Sequence, residues 1–372
     1  MSDRLHYIKE FNDKIFNNDV AKNKNTIIFI YTPPKVGSTS LVSSLRLSGA
    51  KFLNVVHVHD EKMLSILAGY VNKENVTINE IIKYNASIGK NVFVIDVYRN
   101  PIERKISEYF EQLAPFHFNT SESNMNSYKI DLIIKRFNSV FPFIGKDDYF
   151  FDKYNIDIPR EFDFANKYLL INKDNVKYLK LRLCDSNEWD RILSKVLNMD
   201  IIVIKDYQTE NKAIGDLYKR FKETYHIPCN LLETIKSCKN FNYYNSDIER
   251  NAYLETWNNK IQPSCFDAYS SKKYNFYIEL CSENQFYNFI QRDHYLDFGC
   301  VCKSCCYKRR QIFCKLKRGE YTDTKIIHEQ AVQEKNIRRA ENVGKICNHI
   351  SNTLKKISNK PNKNKIDINL KM

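Results

Sequence analysis

Residues 26–47 read TIIFIYTPPKVGSTSLVSSLRL, and this stretch decides the fold. Thr26 to Tyr31 is a β-branched and aromatic run suited to a buried central strand. Pro33 and Pro34 end that strand. Gly37 permits a close turn, and Ser38 or Thr39 offers a cap for the amphipathic helix that follows. Backbone N–H groups in such a loop, with the positive end of a helix dipole behind them, form an anion site. Lys35 sets a charge at its mouth. The order differs from the G-x-x-x-x-G-K-[ST] loop of nucleotide triphosphatases, because Lys35 precedes the single glycine.

Working outward, a short helix (Leu5 to Phe16) and a polar linker precede this unit. Lys51 to Val58 (KFLNVVHV) reads as a second strand, Asp60 to Tyr70 as a helix with Asp60 near its cap, and Thr77 to Tyr84 as another helix. Asn91 to Tyr98 (NVFVIDVY) is apolar enough for a strand covered on both faces. Strands alternating with helices predict an α/β fold, a three-layer α/β/α domain with a central parallel sheet. Ligands in such sheets sit beyond the carboxyl ends of the strands. Lys35, His57, His59 and Arg99 should therefore share one rim.

After the third strand comes Tyr98-Arg99-Asn100-Pro101-Ile102-Glu103-Arg104-Lys105-Ile106-Ser107-Glu108-Tyr109-Phe110. Pro101 suits the first position of a helix and Asn100 its cap. The planar fork of Arg99 can grip a phosphate in two bonds, and Ser107, two turns on, can donate its hydroxyl to the same anion.

These two motifs, Pro34-Lys35-Val36-Gly37-Ser38-Thr39-Ser40 and Arg99 through Ser107, resemble the paired signature of PAPS-dependent sulfotransferases. The resemblance implies that Pro34 to Ser40 hold the 5′-phosphosulfate of PAPS and that Arg99 and Ser107 hold its 3′-phosphate. From Phe143 to Pro228 the order of elements is similar to the capsular-polysaccharide-synthesis branch of that superfamily. The likeness covers about Thr26 to Pro228, with its motifs in the first ninety residues. A late Arg-Lys-Gly-type nucleotide motif of the cytosolic members is absent.

The chemistry implied is in-line transfer of a sulfuryl group to a hydroxyl acceptor, of glycan or small-carbohydrate type. Charge gathers on the oxygen that leaves sulfur, and Lys35 with the loop N–H groups would stabilise it. The acceptor needs a base. His57 and His59 lie two apart on a strand and face one side of it; histidine titrates in the useful range. The segment VVHVHD also resembles the His-x-His of glycan 2-O-type sulfotransferases, in which the second histidine, here His59, is the base. Glu61 is the local alternative.

Beyond Pro115 a helix is expected at Ser127 to Ser139, and an aromatic, acidic stretch at Tyr149 to Asn155 is a candidate wall of a substrate groove. A strand is expected at Val176 to Cys184, a helix at Asn187 to Asn198, a strand at Ile201 to Lys205 and a helix at Glu210 to Tyr225. The domain plan is a helix and linker (1–25), the α/β domain (26–228), a mostly helical, Cys-rich extension (229–327), and a polar helix with a basic, disordered tail (328–372). Eleven cysteines in a reducing compartment would be thiols or metal ligands rather than a disulfide framework. Cys300, Cys302, Cys305 and Cys306 are candidate ligands for a structural zinc.

The chain has 372 residues and 43% hydrophobic composition, enough for a sizeable core, and a net charge of +14. From Lys303 onward eighteen basic residues face six acidic ones, so the excess sits in the tail and suits a polyanionic partner. No run reaches the roughly 20 apolar residues needed to cross a bilayer, and no secretory leader is evident. A cytoplasmic protein is expected. Two other classes fit less of the sequence: a phosphate-binding-loop kinase or nucleotidase, which needs a magnesium-holding acid where Asp96 lies inside a strand, and a nucleic-acid-binding protein built on a sulfotransferase-like core.

Overall fold

The computed structural model describes residues 2–16, 24–49, 52–70, 76–118, 122–204, 210, 213–275 and 277–278. The described residues form two units, one drawn from 2–111 and 129–269, the other from 112–128 and 270–278. Cys300, Cys302, Cys305 and Cys306, the basic tail and the expected polar helix lie outside the described residues.

The larger unit is a mixed α/β fold around a five-stranded sheet. Its strands are β1 (Thr26–Tyr31), β2 (Leu53–Val58), β3 (Asn91–Tyr98), β4 (Tyr168–Lys173) and β5 (Val176–Arg182), in the order β2-β1-β3-β5-β4. The first four in that order are parallel, and β4 runs antiparallel to β5. Side chains alternate across the pleat. Ile27, Phe29 and Tyr31 enter one cluster, with Phe11 of the helix Ser2–Ile15 and Ile81 and Ile82 of the helix Ile78–Ser87. Ile28 and Ile30 enter the other, with Leu41 and Leu45 of Ser38–Gly49 and Trp189 and Ile192 of Trp189–Leu197. Each such side chain, fully buried, contributes about 1.5–3 kcal/mol. The sheet is held by apolar layers on both faces.

Local chemistry sets the boundaries. Asp60 caps Glu61–Leu67 through a 2.8 Å bond from the Met63 N–H, and Thr77 with Glu80 forms a capping box on Ile78–Ser87. Ile130–Val140 fills much of the helix expected at Ser127 to Ser139. Three helices, Cys229–Lys236, Lys239–Tyr244 and Asp247–Asn258, follow a two-residue strand, and all belong to the larger unit.

Three sequence expectations need correction. Ile201 to Ile204 is not a strand; the N–H groups of Ile201, Ile202 and Ile204 are taken by the hydroxyls of Ser194, Ser48 and Ser44, each at 2.9 Å, in place of a ladder. Tyr149 to Asn155 does not line a groove: Tyr149, Phe150 and Tyr154 are buried in the core beside Tyr31. The antiparallel β4 was not anticipated, because Lys167, Asp174 and Asn175, all at positive φ, make its turns without glycine.

Under the strand ends lies a buried charged cluster. Lys180 of β5 reaches Asp96 of β3 at 2.8 Å and Asp148 at 3.2 Å, all three shielded from solvent. In the smaller unit, Leu113–His117 forms a π-helical turn, and His117 Nδ1 lies 2.6 Å from the Tyr277 hydroxyl.

Candidate functional site

β1 has its two sequence successors, β2 and β3, on opposite sides. The chain therefore leaves β1 and β3 in opposite directions, which opens a crevice at their carboxyl ends. The Thr32–Gly37 loop and Arg99 both lie at that crevice.

Lys35 (φ 66°) and Gly37 (φ 91°) both adopt the left-handed region. For Lys35 this costs about 1–2 kcal/mol, so the surroundings must hold it. They do so at both ends of the residue: Arg99 Nη1 donates to the Lys35 carbonyl at 2.8 Å, and Lys35 Nζ pairs with Glu111 Oε2 at 2.9 Å. Gly37 is required for a second reason, since a Cβ there would stand 2.8 Å from Leu183 Cδ1 and 3.3 Å from the Trp189 ring. A Cβ there would force the Leu183 side chain to shift, on top of the strain of the positive φ.

The helix begins at Ser38, so neither Ser38 nor Thr39 caps it; the Gly37 carbonyl accepts its first bond, from the Leu41 N–H at 3.4 Å. Ser38 is buried, and Val36 enters the core with Ile28 and Ile30. On the facing element, Pro101 starts the helix Pro101–Glu111 as expected. The Asn100 carbonyl accepts from the Arg104 N–H at 3.0 Å, whereas Asn100 Oδ1 is buried without a partner, so its side chain makes no cap. Glu103, Ser107 and Glu111 follow at four-residue spacing and occupy one face. Glu111 at the end of that row reaches Lys35, Glu103 at its start accepts from the Tyr253 hydroxyl at 2.7 Å, and Ser107 between them is buried.

His59 Nδ1 lies 2.6 Å from the Thr32 carbonyl. A carbonyl only accepts, so Nδ1 carries the proton and the lone pair of the neutral ring is on Nε2. Burial lowers the His59 pKa; the Thr32 bond and Asp60 oppose this, while Lys35 and Arg104 add to it. His57 stacks edge-on against His59 at 4.7 Å between ring centroids, and its Nε2 is buried without a partner. Burial, then His59 and Arg46, push His57 down to about 4. Of the two, His59 is the one with a fixed tautomer beside Lys35.

A cavity of about 330 Å³ opens beside this rim, between the end of β3, the Pro101 helix, the segment 142–148 and the helices Cys229–Lys236 and Lys239–Tyr244. Arg99 lines it, together with Arg104, Lys105 and Lys146; Lys35, Ser107, His57 and His59 do not. The structure thus gathers Lys35, Arg99 and His59 at the carboxyl ends of the parallel strands, with Arg99 alone of the three lining this cavity. Arg99 bridges the loop and the cavity. Sequence reasoning missed Glu111, whose i+4 spacing from Ser107 was a usable signal, and Thr32, whose carbonyl orients His59. No group of three or more His, Cys, Asp or Glu with metal-holding geometry occurs among the described residues.

No protein-family model matches the chain, and no solved structure matches it. A relative from Euglena longa, the Ribosomal operon-associated A protein, is 23% identical over 293 residues, covering 74% of this chain and 54% of the relative. The chain spans about half the length of the relative it matches. No described helix is long and apolar enough to cross a membrane.

Proposed function

We propose that the protein transfers a sulfuryl group from PAPS to a hydroxyl acceptor of carbohydrate type. The observation that carries this reading is the bond from Arg99 to the Lys35 main-chain carbonyl, which joins the two motifs, 64 residues apart in sequence, at the carboxyl ends of β1 and β3. Both motifs resemble the sulfotransferase signature, on the elements that resemblance implies.

The residues suit a doubly anionic nucleotide. The loop Val36–Ser40 opens a helix, so the first N–H groups of Ser38–Gly49 have no intrahelical acceptor. PAPS when bound would supply an activated sulfonate and a phosphate leaving group. Lys35 would swing from Glu111 to neutralise the leaving oxygen, Arg99 and Ser107 would hold the second phosphate, and His59 Nε2 would take the acceptor proton.

The kinase or nucleotidase reading has less support. Asp96 is fully buried and spends its oxygens on the Thr32 hydroxyl, the Val97 and Phe150 N–H groups and Lys180, with none free for magnesium. Nucleic-acid binding on a sulfotransferase-like core is favoured by the basic excess after Lys303 and by a relative named for association with a ribosomal operon. Thermal-shift measurements separate the three. Stabilisation by PAP, about 2.7 kcal/mol at a hundredfold excess over Kd, supports the first; a response to Mg-ATP alone favours the second; neither, with salt-sensitive RNA binding by the full chain, favours the third.

A further inference from the structure

Cys229 and Cys265 are 36 positions apart in sequence, yet their sulfurs lie 3.2 Å from each other. Cys265 is exposed and Cys229 half-buried, so the pair is open to solvent. The chain brackets both thiols. Just before Cys229, Ile227–Pro228 pairs in parallel with Ile261–Gln262, and the Ile227 N–H donates to the Lys260 carbonyl at 2.9 Å. Just after it, the Asn230 side chain clasps the backbone of Phe266: Nδ2 donates to the carbonyl at 2.9 Å and Oδ1 accepts from the N–H at 3.0 Å. Residues 228 and 230 are thus set against 262 and 266, which fixes the approach of the two sulfurs.

The Cys229 S–H donates to the Pro263 carbonyl at 3.3 Å, which leaves the Cys229 sulfur to accept from the Cys265 S–H. That bond, with the Cys229 charge and burial, raises the Cys265 pKa, and the Asn230 N–H opposes the rise. A disulfide bond measures about 2.05 Å, so closing the 3.2 Å gap takes a movement of about 1 Å. The span between the thiols carries the helices Cys229–Lys236, Lys239–Tyr244 and Asp247–Asn258. From the last of these, the Tyr253 hydroxyl donates to Glu103 at 2.7 Å and accepts from the Ile102 N–H at 3.3 Å. Glu249 accepts two bonds of 2.9 Å from Arg182 at the end of β5. This helix therefore braces the start of the Pro101 helix, next to Arg99.

We propose that Cys229 and Cys265 are a reversible redox-modification site, closing a disulfide that staples the 229–265 segment where it packs on the Pro101 helix. The oxidant is a small disulfide of the glutathione class. One protein thiolate attacks it and releases a first glutathione; the second protein thiolate attacks the resulting mixed disulfide and releases another. One sulfur–sulfur bond is lost and one gained, two electrons pass to oxidised glutathione, and the two thiol protons leave on the reduced products. The bond stabilises the segment by restricting its opened chain. None of this depends on the sulfuryl-transfer reading.

The test takes the full chain, reduced with a phosphine, through glutathione buffers of rising oxidised fraction. Free thiols are then trapped with iodoacetamide and the peptides mapped without reduction. A Cys229–Cys265 linked peptide should appear, and dithiothreitol should remove it. The oxidised protein should melt several degrees above the reduced one and exchange its amide hydrogens more slowly over residues 229–265. Cys229→Ser and Cys265→Ser should each abolish the linked peptide and the rise in melting temperature. Oxidation that ends in glutathione adducts on unlinked thiols, or in a bond from either residue to another cysteine of the chain, overturns the pairing. A linked peptide with no change in melting or exchange overturns the staple. PAP titration, run separately, decides the sulfuryl-transfer reading and alters neither outcome.

Discussion

The Arg99 guanidinium donates to the main-chain carbonyl of Lys35 at 2.8 Å, tying the end of β3 to the loop that leaves β1. One arginine thus holds a strained lysine in its left-handed backbone while lining the neighbouring cavity. Arg99→Ala should weaken PAP binding by roughly tenfold to a hundredfold, the worth of a charge-assisted pair, and also lower thermal stability in the absence of ligand. Arg99→Lys keeps a charge but not the fork and should restore little of either. PAP affinity unchanged in Arg99→Ala would remove the basis of the functional reading.

Lys35 and Glu111 form a partly buried pair, so the ammonium is not free until the carboxylate releases it. Glu111→Gln should raise PAP affinity at low salt, since Lys35 no longer has an anionic competitor. Lys35→Ala should lower the rate of sulfuryl transfer by on the order of a hundredfold or more. Both are read from initial rates and from titration with PAP.

Gly37→Ala places a methyl group against Leu183 at a φ of 91°. Urea denaturation should show a loss of about 1–3 kcal/mol. Adding Leu183→Ala should recover only the steric part, because the backbone strain remains.

The pH dependence of stability follows from the histidines. His57 has a folded pKa of about 4, below its unfolded value, because burial disfavours the imidazolium. Between about pH 6.5 and pH 4 the unfolded chain binds the proton more readily than the folded one. Stability should therefore fall as the pH drops through that window, and His57→Gln should flatten the slope. His59, also lowered, should appear as an acidic limb in the rate profile below the ordinary histidine range.

Lys180 sits between Asp96 and Asp148 with no access to water. Lys180→Met leaves two buried carboxylates facing each other and should cost about 3–5 kcal/mol in a denaturation experiment. Lys180→Met combined with Asp96→Asn should cost less than Lys180→Met alone, the mark of an electrostatic rather than a packing loss.

Strands β1 and β3 carry their own instructions: both are runs of β-branched and aromatic residues long enough to cross a sheet, and both start and stop where the sequence predicts. The Thr77 capping box and Pro101 at its helix start are likewise local and readable. The absence of a strand at Ile201 to Ile204 was not, since Ser194 of the preceding helix and Ser44 and Ser48 of the distant helix Ser38–Gly49 take the N–H groups a ladder would have used. Nor was the turn from β4 into β5, built from Asp174 and Asn175 in left-handed conformations in place of glycine.

By itself the sequence determined which residues bear charge at the ends of β1, β2 and β3, because strand length and side-chain period are local properties. Only the tertiary structure decided which of them meet. Arg99 reaches Lys35, Lys35 reaches Glu111 and His59 reaches Thr32 through the strand order β2-β1-β3 and the packing of the Pro101 helix. Those contacts join residues 27 to 76 positions apart, and no local preference can specify an interaction over such a span.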